Sequence, residues 1–180
     1  MSDLNARCLD AFPKWLTNLP KDATDLAALL DDGDVPAATR RHIASALNYL
    51  FKSLDLIPDG IEDLGFLDDA FVLRVAARLA SQKDGQEIGN GLVARIAEGN
   101  ALIEELLGAD YGRLERYVEN LVHGAARGRT TDEIVDDAET RSAFIGELDA
   151  WAASYQPPSF TRDEKNIVKL TSFLSAKLPA

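Results

Sequence analysis

Six carboxylates fall between residues 55 and 69: Asp55, Asp59, Glu62, Asp63, Asp68 and Asp69. No Lys, Arg or His interrupts them, and Leu, Ile and Phe are interleaved among them. Hard divalent cations take oxygen ligands, and a turn between two helices can gather several. Asp55, Asp59, Asp68 and Asp69 are therefore the candidate ligands for Mg²⁺ or Ca²⁺. The spacing is not that of an EF-hand loop, since no Asp-x-Asp-x-Asp-Gly run occurs. The competing chemistry is structural. Asp59 is placed to accept from the free N–H groups of a short turn at residues 60–63. Asp68 is placed to cap, or to lie in the first turn of, the helix that follows, beside the positive end of its dipole. Pro58 and Gly65 then set backbone angles that other residues resist. Acidic helix starts are commoner than metal sites, so the segment reads first as a structural joint. Capping nevertheless explains one or two aspartates better than it explains the whole set.

Other chemistry is poorly supplied. The chain has two histidines, His42 and His123, and one cysteine, Cys8, too few for a Cys/His zinc site. Neither histidine is followed by aspartate, and both read as surface or helix-flank residues. No Gly-x-Ser-x-Gly elbow is present. Gly89-Asn90-Gly91 imitates a dinucleotide fingerprint, but the preceding residues 83–87 are polar and do not read as the strand that such a turn requires. Arg40-Arg41-His42 and Arg127-Gly128-Arg129 are small basic clusters that could hold a phosphate or carboxylate, but such groups are more often solvated helix ends, and Arg127 and Arg129 stand where a helix C-terminus favours positive charge. Cys8 reads as a small apolar residue on the first helix.

The elements that must position the aspartates are helical. Ile43, Leu47, Leu50 and Leu54 step by four and three; Leu67, Phe71, Val75 and Leu79 step by four. Further stripes follow at Ile88, Leu92 and Ile96, at Ile103 and Leu106, and at Leu114, Tyr117, Val118 and Leu121. These predict amphipathic helices around one core. Pro36 opens a helix, and Pro58, Gly60 and Gly65 interrupt the pattern between two others. Asp110 stands at an N-cap position. Thr130-Thr131-Asp132-Glu133 and Thr161-Arg162-Asp163-Glu164 both read as capping boxes. Nothing alternates with a period of two, so no sheet is expected. The predicted fold is all-α, an irregular multi-helix bundle of about seven to nine helices. Residues 1–156 form the helical domain. Pro157-Pro158 begins a linker, and residues 157–180 end in an amphipathic helix docked on the same domain through Ile167, Leu170, Leu174 and Leu178.

Composition narrows the partners. The 180 residues carry 19 Lys and Arg against 30 Asp and Glu, a formal net charge of −11. Such a chain repels nucleic-acid backbones and anionic membrane surfaces. The most apolar stretch, residues 66–80, is cut by Asp68, Asp69, Arg74 and Arg78, so stable membrane insertion is not expected. No signal peptide is evident, a single cysteine suits a reducing compartment, and the reading is a cytoplasmic protein.

The residues around the acidic turn resemble a known signature. Tyr49-Leu50-Phe51-Lys52-Ser53-Leu54-Asp55-Leu56-Ile57-Pro58-Asp59, followed by Gly65-Phe66-Leu67-Asp68-Asp69 ahead of an apolar helix, is similar to the signature of the YkvA-like domain, whose pattern is Asp-x-Ile-Pro-Asp and then Gly-x-x-Asp-Asp. That is a small bacterial domain of unknown function. The resemblance spans residues 37–80. Family sequences often carry a second Ile-Pro soon after the second aspartate, whereas Ile61 here precedes Glu62. The resemblance implies a helical hairpin and no established activity.

The functional expectation is a non-enzymatic protein-interaction or scaffolding module with a structural acidic turn and an unidentified protein partner. The alternative is a divalent-metal-dependent hydrolase of a phosphorylated small molecule that uses the carboxylates of residues 55–69.

Overall fold

The computed structural model describes residues 2–53, 55–84, 88–89 and 91–180. Among them the expected all-α bundle is found: α1 (Asp3–Ala28), α2 (Ala37–Tyr49), α3 (Leu67–Asp84), α4 (Leu92–Ala97), α5 (Asn100–Leu107), α6 (Tyr111–Asn120), α7 (Thr131–Asp136), α8 (Ala138–Ser154) and α9 (Glu164–Lys177). The expectation of no sheet meets one exception. Strands β1 (Ala125–Ala126) and β2 (Arg129–Thr130) pair antiparallel, with Ala125 opposite Thr130. Two residues per strand are too few to display alternation. Arg127 (φ 50°) and Gly128 (φ 76°) both adopt left-handed backbone, as a two-residue hairpin turn demands. The Arg127-Gly128-Arg129 cluster is thus a hairpin tip and not a helix end.

Helix α3 is the central element. Its predicted stripe of Leu67, Phe71, Val75 and Leu79 is buried, but so are Ala70, Val72, Leu73, Ala76, Ala77 and Ala80. A helix apolar on all sides must be wrapped by others; α2, α4, α1, α6 and α5 pack around it. Arg74, which interrupts the apolar run in the sequence, is buried as well. Its guanidinium sits 4.0 Å from the centre of the Trp15 ring and 3.7 Å from Asp22, itself buried. A Cβ on Gly99 would lie 2.8 Å from the Arg74 side chain. Glycine is what lets the α4–α5 turn close over this pair.

Helix α1 continues through Pro13 and Pro20. Pro20 has no N–H to give to the carbonyl of Leu16, four residues back. The Tyr155 hydroxyl donates to that carbonyl at 2.8 Å, which ties the end of α8 to the proline turn of α1.

The caps divide. Pro36 immediately precedes α2, and Thr130 with Glu133 forms the full capping box of α7. The box expected at Thr161 does not form: Asp163 is the N-cap of α9 and accepts from the Lys165 N–H at 2.9 Å. Asp110 stands at the N-cap position of α6 as expected, but its carboxylate accepts from Arg113 and makes no cap bond. Ile167, Leu170, Leu174 and Leu178 are buried, and α9 packs on α1. Arg113 donates to the carbonyls of Ser175, Leu178 and Pro179 at its end. Leu54, the last residue of the predicted α2 stripe, lies outside the described residues, as does the stretch 85–87 within the polar segment ahead of Gly89. None of the described helices is long and apolar enough to cross a membrane.

Candidate metal centre

The acidic turn is held by apolar anchors and by its own backbone. Leu56, Ile57 and Leu64 are buried and pin the segment to the core between α2 and α3. The Ile61 N–H donates to the Pro58 carbonyl at 3.1 Å, and the Gly65 N–H to the Ile61 carbonyl at 2.9 Å. Gly65 is required by space: a Cβ there would fall 2.1 Å from the Asp59 carbonyl oxygen. Asp63 (φ 64°) and Phe66 (φ 66°) are left-handed, a conformation that costs a bulky residue about 1–2 kcal/mol. Outside contacts hold both. Asp63 Oδ1 accepts from the Thr161 N–H at 2.7 Å. Phe66 meets the Tyr155 ring edge-on at 5.2 Å between centroids, with Trp151 behind it.

This turn delivers Asp68 and Asp69 into the first turn of α3, where both are buried, and leaves Asp59 at the rim. Each of the three offers one oxygen within 4.8 Å of the other two. Asp55, half-buried, stands beside this trio without completing it. Pro58 is exposed and shapes the turn through its carbonyl.

The buried end is organised by a residue outside the sequence-derived set. Tyr49, the last residue of α2, donates its hydroxyl to Asp68 Oδ2 at 2.6 Å and accepts from the Leu56 N–H at 2.8 Å. The Ile57 N–H also donates to Asp68 Oδ2, at 3.2 Å. Tyr117 of α6 stands perpendicular to the Tyr49 ring, and Lys52 Nζ donates to the Tyr117 hydroxyl at 3.3 Å. Nothing in the spacing of Tyr49, Lys52 and Tyr117 marks them in the sequence, because they converge only through the packing of α2, α3 and α6. The capping role expected of Asp59 is not found: no backbone N–H among the described residues donates to its carboxylate.

Burial raises the carboxyls of Asp55, Asp59, Asp68 and Asp69, and mutual repulsion adds to it at all of these but Asp59. Burial, then the charges of Asp68, Asp59 and Asp55, pushes the Asp69 carboxyl well above the usual range. Burial raises Asp68 too, against the opposing hydrogen bonds from Tyr49 and Ile57. Asp55 is pushed up to about 7 by burial and by Asp68 and Asp59. Burial keeps Tyr49 and Tyr117 protonated, the latter pushed up to about 12. Three oxygens, Asp55 Oδ1, Asp68 Oδ1 and Asp69 Oδ2, are buried without a hydrogen-bond partner. Such oxygens are costly as anions unless a proton or a cation meets them.

The other sequence candidates are accounted for. His42 is buried on α2, and not on the surface as expected, whereas His123 is exposed. Cys8 is buried in the core, as its reading as a small apolar residue expects, and burial pushes its thiol up to about 11. Gly89 (φ 63°) and Gly91 (φ 82°) form the turn into the short α4, whose Leu92 N–H bonds the Gly89 carbonyl.

A family described as a protein of unknown function, DUF1232, matches residues 39–74. The match covers α2, the acidic turn and the first half of α3, well under half of the chain. No curated protein and no solved structure matches the chain.

Proposed function

We propose that the chain is a binding module whose acidic turn takes up a hard divalent cation, Mg²⁺ or Ca²⁺, through Asp59, Asp68 and Asp69, with Asp55 alongside. One observation carries this reading. Asp68 and Asp69 are buried, each keeps an oxygen without a partner, and each offers an oxygen within 4.8 Å of one from Asp59. Caps would spend those oxygens on N–H groups; here they are unspent. A cation would satisfy them and cancel the repulsion among the carboxylates. It would also draw the start of α3 toward the turn, so the scaffolding role and the cation site become one device. The position of Asp59 at the rim leaves one side of the ion for water or for a ligand.

Thermal unfolding above pH 7 in Mg²⁺, Ca²⁺ or Mn²⁺ tests the reading. An ion bound only by the native state raises the melting temperature, by the equivalent of about 2.7 kcal/mol at a hundredfold excess over Kd. Asp69→Asn should abolish the rise. No shift with any of the three ions at millimolar concentration would overturn the proposal.

A further inference from the structure

Beside the acidic turn runs a groove of about 690 Å³, within the ~300–1,000 Å³ typical of small-molecule sites. Its walls carry Phe51, Lys52, Ser53 and Asp59 and, at the tip of the hairpin, Arg127 and Gly128. In a chain of net charge −11, cationic groups are expected to be taken up by carboxylates. Two in this groove are not fully taken up. Lys52 forms no ion pair within 4.0 Å among the described residues: its ammonium lies over the Tyr117 ring, donates to the Tyr117 hydroxyl and acts on the Asp55 carboxyl only through its charge. Arg127 lies over the Phe51 ring at 4.7 Å and comes no closer than 3.6 Å to Glu147, with 60% of its side chain exposed. The neighbouring Arg129 holds Glu147 at 2.8 Å.

We infer that this groove binds a phosphate monoester, its phosphate held by Lys52 and Arg127 and facing the cation at Asp59. The inference rests on the cation reading above. Bare Asp59 would repel a phosphate in the same groove. With a cation on it, that wall attracts one, and acids and bases lining one groove become complementary. Mg²⁺ in particular is commonly held by one or two carboxylates together with phosphate oxygens. Leu50, Phe51, Ala125 and Ala126 supply an apolar surface for the organic part of the ligand, which inorganic phosphate lacks.

Titration calorimetry with Mg²⁺, phenyl phosphate and inorganic phosphate, singly and in combination, tests this. Phenyl phosphate should bind about tenfold more tightly when Mg²⁺ is present, and Mg²⁺ about tenfold more tightly when phenyl phosphate is present, because coupling between two sites is reciprocal. Arg127→Ala, at an exposed position, should weaken phenyl phosphate about tenfold and leave Mg²⁺ alone unchanged, and Lys52→Gln, which keeps most of the stem, should weaken phenyl phosphate about as much. Melting temperatures of the variants check that they fold. Mg²⁺ uptake without phenyl phosphate binding, or with binding indifferent to both substitutions, overturns the inference and leaves the cation site standing. Phenyl phosphate binding in a protein that takes up no Mg²⁺ overturns the cation reading and this inference with it. Equal affinity for inorganic phosphate and phenyl phosphate overturns the monoester assignment.

Discussion

The Tyr49 hydroxyl lies 2.6 Å from Asp68 Oδ2 and closes the joint between the end of α2 and the start of α3. The Tyr49 hydroxyl oxygen also accepts from the Leu56 N–H, so one phenol serves a buried carboxylate and a buried amide together. Tyr49→Phe removes both bonds, strands the Leu56 N–H in the core and leaves Asp68 Oδ2 with the Ile57 N–H alone. The expected loss is about 1–3 kcal/mol, read as a lower denaturant midpoint with an unchanged slope.

The aspartates predict an unusual pH dependence for the metal-free protein. Asp69, Asp68 and Asp55 have folded pKa values raised above their unfolded ones, so the native state holds their protons more tightly. Their contribution to stability is fully present below about pH 4, the unfolded value, and is lost as pH rises through the folded values, about 7 for Asp55. Asp69→Asn should therefore match the wild type near pH 4 and exceed it near pH 8 in chelator. A variant less stable than wild type at pH 8 would contradict the repulsion described here.

Cation uptake should run the other way. Ligand carboxylates must be ionised, so Mg²⁺ should stabilise the protein at pH 8, do so weakly at pH 5, and release protons on binding. Melting curves at the two pH values, with calorimetry in buffers of different ionisation heat, check both points.

Gly65→Ala would set a Cβ against the Asp59 carbonyl at 2.1 Å. That neighbour is backbone, so the turn itself must shift. The expected cost is about 3 kcal/mol or more, with any Mg²⁺ response weakened alongside. Gly60→Ala, whose Cβ would meet nothing within 4 Å, is the control and should change stability little.

Tyr155 and Pro20 form a testable pair. Tyr155→Phe leaves the Leu16 carbonyl without its donor and should cost about 1–2 kcal/mol. In a Pro20→Ala background the new N–H can reach Leu16 along the helix, and the cost of losing the hydroxyl should shrink. A double-mutant cycle that shows additivity would sever the link between them.

The apolar spacing of the chain was enough to establish helices and an interrupted hairpin around residues 55–69, because a period near 3.6 is a local property of the sequence. Pattern also found the capping box at Thr130, where donor and acceptor sit within one turn. It missed the hairpin tip at Arg127-Gly128, whose strands are too short to alternate. It read α3 as one-sided, since nothing local reveals that α1, α2, α4, α5 and α6 all close upon it. It placed the aspartates in one turn without distinguishing caps from ligands. What tertiary structure adds is where each carboxylate ends up. Tyr49 meets Asp68, unpartnered oxygens of Asp68 and Asp69 stay buried, and Asp59 remains at the rim, only because packing brings the end of α2 against the start of α3. Residue type and spacing supplied the carboxylates; packing by the rest of the chain decided which of them are buried and which oxygens keep no partner.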